Sequence, residues 1–253
     1  MSEISTKELL DAGCHFGHLT HKWSPKMAPY IFMEKDGIHL IDLNKTLVKI
    51  EEAKQVVKSL VKSGRKVLFV ATKKQAKEIV EQAAKSVDMP FVTERWLGGM
   101  LTNFATVKKS IKKMQTIEKN MKDGTFEALA KKERLVLSRE HEKLSKFFSG
   151  IENMHKLPAL IFIVDVKKEH IAVAEALKLN IPTIGLVDTN SDPTKIDYVI
   201  PANDDSANSI QLIVNQITDT IKEALQEYKV DKEEEGAKKK AEKDSAQELE
   251  AEA

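Results

Sequence analysis

The sequence predicts an α/β protein, a three-layer α/β/α sandwich on a parallel sheet with an inserted antiparallel coiled-coil helical hairpin. Two continuous apolar runs, 66–71 and 159–164, have the pattern of strands buried on both faces of such a sheet. Strand and helix patterns alternate along most of the chain, as right-handed crossover connections require. Residues 104–155 interrupt this alternation with lysine-rich helical spacing. We therefore expect a sheet of the Rossmann or flavodoxin type carrying an insertion.

The composition limits the protein class. The chain has 253 residues, a formal net charge of +1 and one cysteine, Cys14, so a disulfide framework or a cysteine-based zinc module is excluded. The amino terminus lacks an apolar signal core, and the longest apolar run, 159–164, is too short to span a bilayer. We expect a soluble, cytoplasmic protein.

The elements can be predicted in order from their spacing. A short capped helix ends near Gly13, and residues 14–27 mix polar and aromatic side chains without a period, as in a loop. Extended runs at 30–33 and 38–41 flank an Asp-Gly turn and predict a β-hairpin, and a long helix then ends at Gly64. The later predicted elements are strand 66–71, a helix capped by Thr72, strand 90–93, strand 159–164, helix 168–179, strand 183–187, strand 198–200 and helix 206–228.

The chain divides by composition into three parts. Residues 1–103 and 156–228 form the predicted discontinuous α/β/α domain, and 104–155 form the inserted basic hairpin. Residues 229–253 are rich in Lys, Glu and Ala without an apolar face, which predicts a charged, disordered tail.

The predicted hairpin concentrates positive charge. Apolar residues at helical spacing form one stripe over 104–121 and a second over 137–154, with an Asp-Gly-Thr stop and cap at 123–125. Between 104 and 150, twelve Lys and Arg stand against six Asp and Glu. Contact with a polyanion such as nucleic-acid phosphate is one explanation. Solubility is the other, because charged outer faces are normal on helical hairpins.

A parallel sheet is also typical of nucleotide enzymes, which bind ligands at the carboxyl ends of strands. The sequence has no GxGxxG fingerprint after a strand, no phosphate loop ending in Gly-Lys-Ser/Thr and no GxSxG elbow. A nucleotide or sugar-phosphate enzyme that uses the strand ends near Asp165 and Asp188 remains the alternative function.

Two patterns raise a metal hypothesis. One lies in the predicted amino-terminal loop and consists of Cys14, His15, His18 and His21. No second ligand pair follows it, and neighbouring lysines oppose a cation, so packing or polar contact with nucleic acid is the favoured interpretation. Asp188 and Asp204 follow strands and could meet around a magnesium ion, but turn and cap roles are favoured for them. We predict neither a metal nor a cofactor.

The start of the insertion offers another recognition pattern. Arg95 and Trp96 could stack on a base or ribose, and Gly98 and Gly99 permit a sharp bend or a close approach. A packed hinge explains these four residues equally well.

Five separated segments carry a further signal. They are Gly13-Cys14-His15-Phe16-Gly17-His18, Trp23-Ser24-Pro25-Lys26-Met27, Arg95-Trp96-Leu97-Gly98-Gly99-Met100-Leu101-Thr102-Asn103-Phe104, Pro158-Ala159-Leu160-Ile161-Phe162-Ile163-Val164-Asp165 and the stretch from Pro182 to Pro193. In order and spacing they resemble the signatures of the bacterial small-subunit ribosomal protein two family, and the resemblance covers residues 3–228. Ser24 departs from the Asn expected there, which puts one contact in doubt, and Phe104 stands where Trp is frequent.

The resemblance implies a structural constituent of the small ribosomal subunit, not an enzyme. It implies a monomer within the particle, on the solvent side between head and body, with ribosomal RNA, neighbouring ribosomal proteins and the mRNA-binding ribosomal protein one as partners and no membrane contact. The RNA-facing candidates that it implies are His15, His18, Trp23, Lys26, Arg95, Trp96, Thr102 and Asn103. The basic residues of this sequence add Lys22, Lys108, Lys109, Lys112, Lys113, Lys131, Lys132, Arg134 and Arg139.

Overall fold

The computed structural model describes residues 4–123, 126 and 129–251, and side chains as far as Lys232. The predicted stop at Gly124 and cap at Thr125 lie outside these residues. The helices are α1 (Thr6–Asp11), α2 (Leu43–Lys62), α3 (Lys74–Ser86), α4 (Phe104–Lys122), α5 (Lys131–Phe148), α6 (His170–Lys178) and α7 (Ala207–Ala251). The strands are β1 (Phe16–Leu19), β2 (Ile31–Lys35), β3 (Ile38–Ile41), β4 (Val67–Val70), β5 (Phe91–Val92), β6 (Leu160–Val164), β7 (Thr183–Val187) and β8 (Tyr198–Pro201).

A small antiparallel sheet in the order β1-β3-β2 precedes the main sheet. The predicted β2–β3 hairpin is confirmed, with Asp36 and Gly37 at positive φ in the turn. The prediction of a loop over 14–27 was wrong in part, because this segment contains β1 and two short 3₁₀ helices. β1 pairs with β3 but does not alternate between buried and exposed residues, so it leaves no period in the sequence.

The main sheet has five parallel strands in the order β5-β4-β6-β7-β8, which confirms the predicted fold class. Counted within this sheet the order is 2-1-3-4-5, the flavodoxin-like arrangement. Every residue of β4, β6 and β7 is buried, which explains their continuous apolar sequences. The order reverses between β4 and β6, so the usual ligand crevice of this fold lies beyond the carboxyl ends of those two strands.

Helices cover both faces of the main sheet. On one face α2, α3 and α7 pack together over the strands. On the other, α6 shares a hydrophobic cluster with the first turns of α4 and the end of α5, including Val107, Ile111 and Phe148 against Ile161 and Ile163. The chain between β5 and β6 is therefore a crossover connection whose ends cover the sheet.

The two helices of the predicted hairpin are in contact. α4 buries the predicted stripe at Val107, Ile111, Met114 and Ile117, and Lys113 is bonded across to Glu140 on α5. The coiled-coil hairpin as a projecting insertion, and the division of the chain into domains, remain predictions.

The last helix is longer than its sequence pattern indicates. Disorder is predicted after Tyr228, but the backbone continues α7 as a helix to Ala251. Lys, Glu and Ala are strong helix formers, so a segment without an apolar face can still hold helical backbone geometry. Within the described part of the chain, no helix is long and apolar enough to cross a bilayer.

Candidate nucleic-acid interface

The amino-terminal segment that contains β1 lies over the carboxyl end of β7. The N–H of His18 donates to Thr189 Oγ1 at 2.8 Å, and the N–H of Ser24 donates to Thr189 O at 2.7 Å. A Cβ on Gly17 would lie 2.5 Å from Thr189 Cγ2 and 2.9 Å from the carbonyl oxygen of His39. Only glycine permits so close an approach. These contacts hold the predicted RNA-facing residues of the segment against the main sheet.

The predicted residues of this segment differ in how free they are. Lys22 is exposed, and Trp23 is 37 % exposed with its ring 4.9 Å from His39. Lys26 Nζ donates to Asp192 Oδ2 at 2.7 Å, and this bond lowers the pKa of Asp192 to about 2. His15 is half-buried, and its burial lowers its pKa. Lys22 and Trp23 are therefore the two residues of this group most open to a partner.

His18 belongs to a charged cluster below this segment. Its Nδ1 lies 2.9 Å from Asp188 Oδ2, and its Nε2 lies 3.5 Å from Asp205 Oδ2. Lys73 Nζ lies 2.6 Å from both Asp204 Oδ1 and Asp205 Oδ1. Asp188 and Asp204 are each 1 % exposed, so two buried carboxylates share one ammonium and one imidazole with the more exposed Asp205.

The protonation of the cluster follows from these contacts. The hydrogen bond to Asp188 raises the pKa of His18. Burial, reinforced by the charges of Asp188 and Asp165, raises the pKa of Asp204 to about 7. Burial alone would lower the pKa of Lys73, but its bonds to Asp204 and Asp205 outweigh burial and raise it. The shifts of Asp204 and Lys73 oppose each other across one bond, because the first favours a neutral Asp204 and the second favours an ionised partner for Lys73. Asp204 is the more deeply buried of the two, 1 % exposed against 13 %, so burial raises its pKa toward neutrality despite the ammonium beside it.

The cluster answers the two metal hypotheses differently. His18, Asp188, Asp204 and Asp205 bring one ligand atom each to within 4.8 Å of one another, so these four residues could hold a cation. The predicted approach of Asp188 to Asp204 therefore occurs, while the N–H of Ser191 donates to Asp188 O at 3.1 Å in the predicted turn role. The other members of the amino-terminal pattern, Cys14, His15 and His21, do not belong to this group.

The crevice at the switch point of the sheet is bridged by side chains. Glu169, at the start of α6, accepts hydrogen bonds from the N–H of Thr72 at 3.1 Å and from its hydroxyl. Lys73 Nζ lies 3.6 Å from Asp165 Oδ2 across the same crevice. The prediction that Thr72 caps α3 was wrong, because its hydroxyl donates to Glu169 and α3 begins after Lys73 without a side-chain cap. These contacts fill the place where a nucleotide enzyme of this fold would bind its ligand.

The loop between β5 and α4 separates the remaining candidates. Arg95 and Asn103 are exposed. Trp96 is 5 % exposed, and its Nε1 donates to Glu175 Oε1 at 3.0 Å, so its ring is packed and offers no open face for stacking. The N–H and hydroxyl of Thr102 also donate to Glu175. Of the two explanations for this loop, its geometry matches the packed hinge.

Glu175 and Lys73 were not predicted as site residues. Glu175 lies on α6 between buried Val173 and Ala176, at a position where the helical period calls for an apolar residue. An acid at a core position of a helix is the signal that could have identified it. Lys73 sits directly after the strand that carries Val70, where the carboxyl edge of a parallel sheet gathers polar groups.

The basic residues of α4 and α5 lie mostly on exposed surfaces. Lys109 and Lys112 are exposed, and Lys108 is partly exposed with Nζ 4.9 Å from the centre of the Phe104 ring. Lys113 is exposed but bonded to Glu140. On α5, Lys131, Lys132 and Arg139 are exposed and Arg134 is half-buried. α4 therefore has a basic surface opposite its buried stripe.

Comparison with known proteins decides the family. The sequence model described as Ribosomal protein S2 matches residues 9–224. The chain belongs to the ribosomal protein S2 family. It is 65 % identical over 230 residues to small ribosomal subunit protein uS2 of Cytophaga hutchinsonii, covering 91 % of each chain. It is 57 % identical over 236 residues to the protein of the same name from Flavobacterium johnsoniae, covering 93 % of each chain.

Membership in the ribosomal protein S2 family confirms the predicted family and the absence of enzymatic activity. The chain is a structural constituent of the small ribosomal subunit and acts in translation in the cytoplasmic ribosome. The enzyme alternative is therefore not retained.

Proposed function

We propose that this chain binds ribosomal RNA at the head–body junction on the solvent side of the small subunit, as a monomer within the particle. The observation that carries this proposal is the basic outer surface of α4, where Lys109 and Lys112 are exposed opposite a buried apolar stripe. A helix fixed on one side to the body and basic on the other can bind phosphates without distorting the core. Lys22, Trp23, Arg95 and Asn103 extend the proposed surface along the carboxyl edge of the sheet.

The test is binding of the full-length chain to protein-free small-subunit ribosomal RNA, followed by sedimentation with small subunits that lack it. We expect RNA binding to weaken steeply with salt, because phosphate contacts release counterions. Reversal of Lys108, Lys109, Lys112 and Lys113 to Glu is expected to abolish sedimentation with the particle while the circular dichroism spectrum is unchanged. Unchanged sedimentation of this variant would contradict the role of α4.

We also propose that the chain supports docking of the mRNA-binding ribosomal protein one. The supporting observation is that the small sheet exposes four large apolar side chains: Phe32, which is 70 % exposed, Phe16, Leu19 and Met33. Exposed aromatic and apolar side chains gathered on one sheet are typical of protein–protein contacts.

Docking is tested with purified protein one and the full-length chain. Replacing Phe32 by Ser is expected to weaken the complex by about fivefold to thirtyfold, since loss of an aromatic anchor costs about 1 to 2 kcal/mol. The same variant should bind RNA as the unmodified chain does. A Phe32→Ser variant that binds protein one with unchanged affinity would show that docking uses another surface.

A further inference from the structure

One buried carboxylate holds the loop between β5 and α4. Glu175 is 7 % exposed, and its Oε1 accepts hydrogen bonds from Trp96 Nε1 at 3.0 Å and from the N–H of Gly99 at 2.8 Å. Its Oε2 accepts the N–H of Leu101 at 3.0 Å, the N–H of Thr102 at 2.9 Å and the hydroxyl of Thr102 at 3.0 Å. Five donors from one loop thus occupy both oxygens of a single side chain, which exceeds the needs of simple burial.

These bonds keep Glu175 ionised. Burial alone would raise its pKa, but the hydrogen bonds from Thr102, Trp96, Leu101 and Gly99 outweigh burial and lower it. Backbone N–H groups and an indole N–H stabilise the charge, and such bonds to a carboxylate are stronger than neutral ones. An amide at this position would turn an NH₂ group toward donors of the loop, so the arrangement requires a carboxylate.

The clamped loop determines where α4 begins. Gly99 has φ 88°, and its carbonyl oxygen accepts the N–H of Asn103 at 2.9 Å. Asn103 O then accepts the N–H of Thr106 and of Val107, which starts the helix. Lys108, the first lysine of the basic surface, lies five residues after Asn103, in the second turn of α4. The loop that Glu175 holds therefore fixes the start of α4 and, together with the packing of Val107 and Ile111 on the sheet, the direction in which these lysines point.

We propose that Glu175 is a positioning residue for RNA binding, which through the loop 96–102 orients α4 so that its lysines meet phosphates. This inference rests on the proposed RNA-binding function. Glu175 itself is buried and touches no RNA. It acts by fixing the helix direction before binding, so that less conformational freedom is lost when the complex forms.

The test compares Glu175→Gln with Glu169→Gln in the full-length chain. Glu169 is a matched control, because it is also a buried carboxylate at α6 and accepts bonds from Thr72 without contacting the loop. Three measurements are made on each variant: the Kd for protein-free small-subunit ribosomal RNA at several salt concentrations, the NMR signal of the Trp96 indole N–H, and hydrogen exchange at Leu101 and Thr102. Trp96→Phe assigns the indole signal.

For Glu175→Gln we expect a shifted indole signal, faster exchange, a Kd raised by about tenfold and a salt dependence shallower by roughly 1.5, as for about two lost phosphate contacts. Glu169→Gln should keep the original Kd and salt dependence. A folded Glu175→Gln variant with a disordered loop but unchanged Kd and slope would overturn the proposal, since a merely structural residue behaves in that way.

A milder variant covers the case in which Glu175→Gln does not fold. Trp96→Phe removes one of the five donors and keeps an aromatic ring at a buried position. We expect a smaller rise in Kd together with faster exchange at Leu101, and unchanged Kd with faster exchange would overturn the proposal. Absence of salt-dependent RNA binding by the unmodified chain would instead refute the proposed function itself, and the inference with it.

Discussion

The exposed lysines of α4 offer the most quantitative test of RNA binding. The perturbation is the replacement of Lys108, Lys109 and Lys112 by Gln. All three lie outside the buried stripe of α4, so the variant should fold as the original chain does. Lys113 is left unchanged because its ammonium is already bonded to Glu140.

The expected magnitude follows from counterion release. Each phosphate contact contributes roughly 0.7 to 0.9 to the slope of log affinity against log salt, so three lost contacts reduce the slope by about 2 to 3. Over a fourfold rise in salt, the unmodified chain should therefore lose about 20 to 40 times more affinity than the triple variant. The two proteins should bind with similar weak affinity at high salt.

The assay is filter binding to protein-free small-subunit ribosomal RNA at four salt concentrations. A matched control removes the same charge from the other face of the sheet, through Lys49, Lys85 and Lys222 to Gln. Each of these lysines is paired with an acid on its own helix, at 2.6, 2.6 and 2.9 Å. The control should keep the original slope. Equal slopes for the α4 variant and the unmodified chain would refute RNA contact through this surface.

Two further predictions concern the stability of the body. Because burial raises the pKa of Asp204 from 3.8 to about 7, the folded chain keeps this proton where the unfolded chain has lost it. The contribution of this bound proton to the free energy of unfolding is therefore fully present below about pH 4 and is lost as the pH rises through about 7. The total loss is up to roughly 4 kcal/mol. Urea unfolding between pH 4 and 8 should show this fall, and Asp204→Asn should flatten it; a parallel pH profile for the variant would be inconsistent with the assignment. Gly17→Ala should lower the free energy of unfolding by about 1 to 3 kcal/mol, because its Cβ would lie 2.5 Å from Thr189 Cγ2. A melting temperature equal to that of the unmodified chain would show that the β1 segment can move away from Thr189 at no cost in stability.

The core of the fold could be predicted because its strands are buried on both faces. β4 and β6 correspond to uninterrupted apolar runs, and runs of that short length between charged residues are typical of strands buried on both faces. β1 could not be predicted, because its backbone bonds to β3 hold it while its side chains, such as those of Phe16 and His18, point to unlike surroundings. Backbone pairing has no signature in residue type.

The candidate site was only partly predictable, for a related reason. Sequence patterns identified where polar groups leave the strands, and Asp188 and Asp204 do meet there. They could not show which partner each polar group finds. The sequence around Trp96 fits stacking and packing equally well, and the structure shows its indole bonded in the core to a carboxylate seventy-nine positions later in the chain. Contacts between residues so far apart depend on the completed topology.

The crossover between β5 and β6 has a consequence for how this chain can vary. Its two ends, including Ile111 and Phe148, complete the hydrophobic cover of the sheet, whereas the far turns, 115–122 of α4 and 131–138 of α5, expose most of their side chains. Insertions or deletions in these far turns would change the length of the basic surface and leave the sheet covered. A change near Ile111 would instead alter the angle at which α4 leaves the sheet. The length of the basic surface can therefore vary without affecting the body, whereas its direction depends on the packing that folds the body.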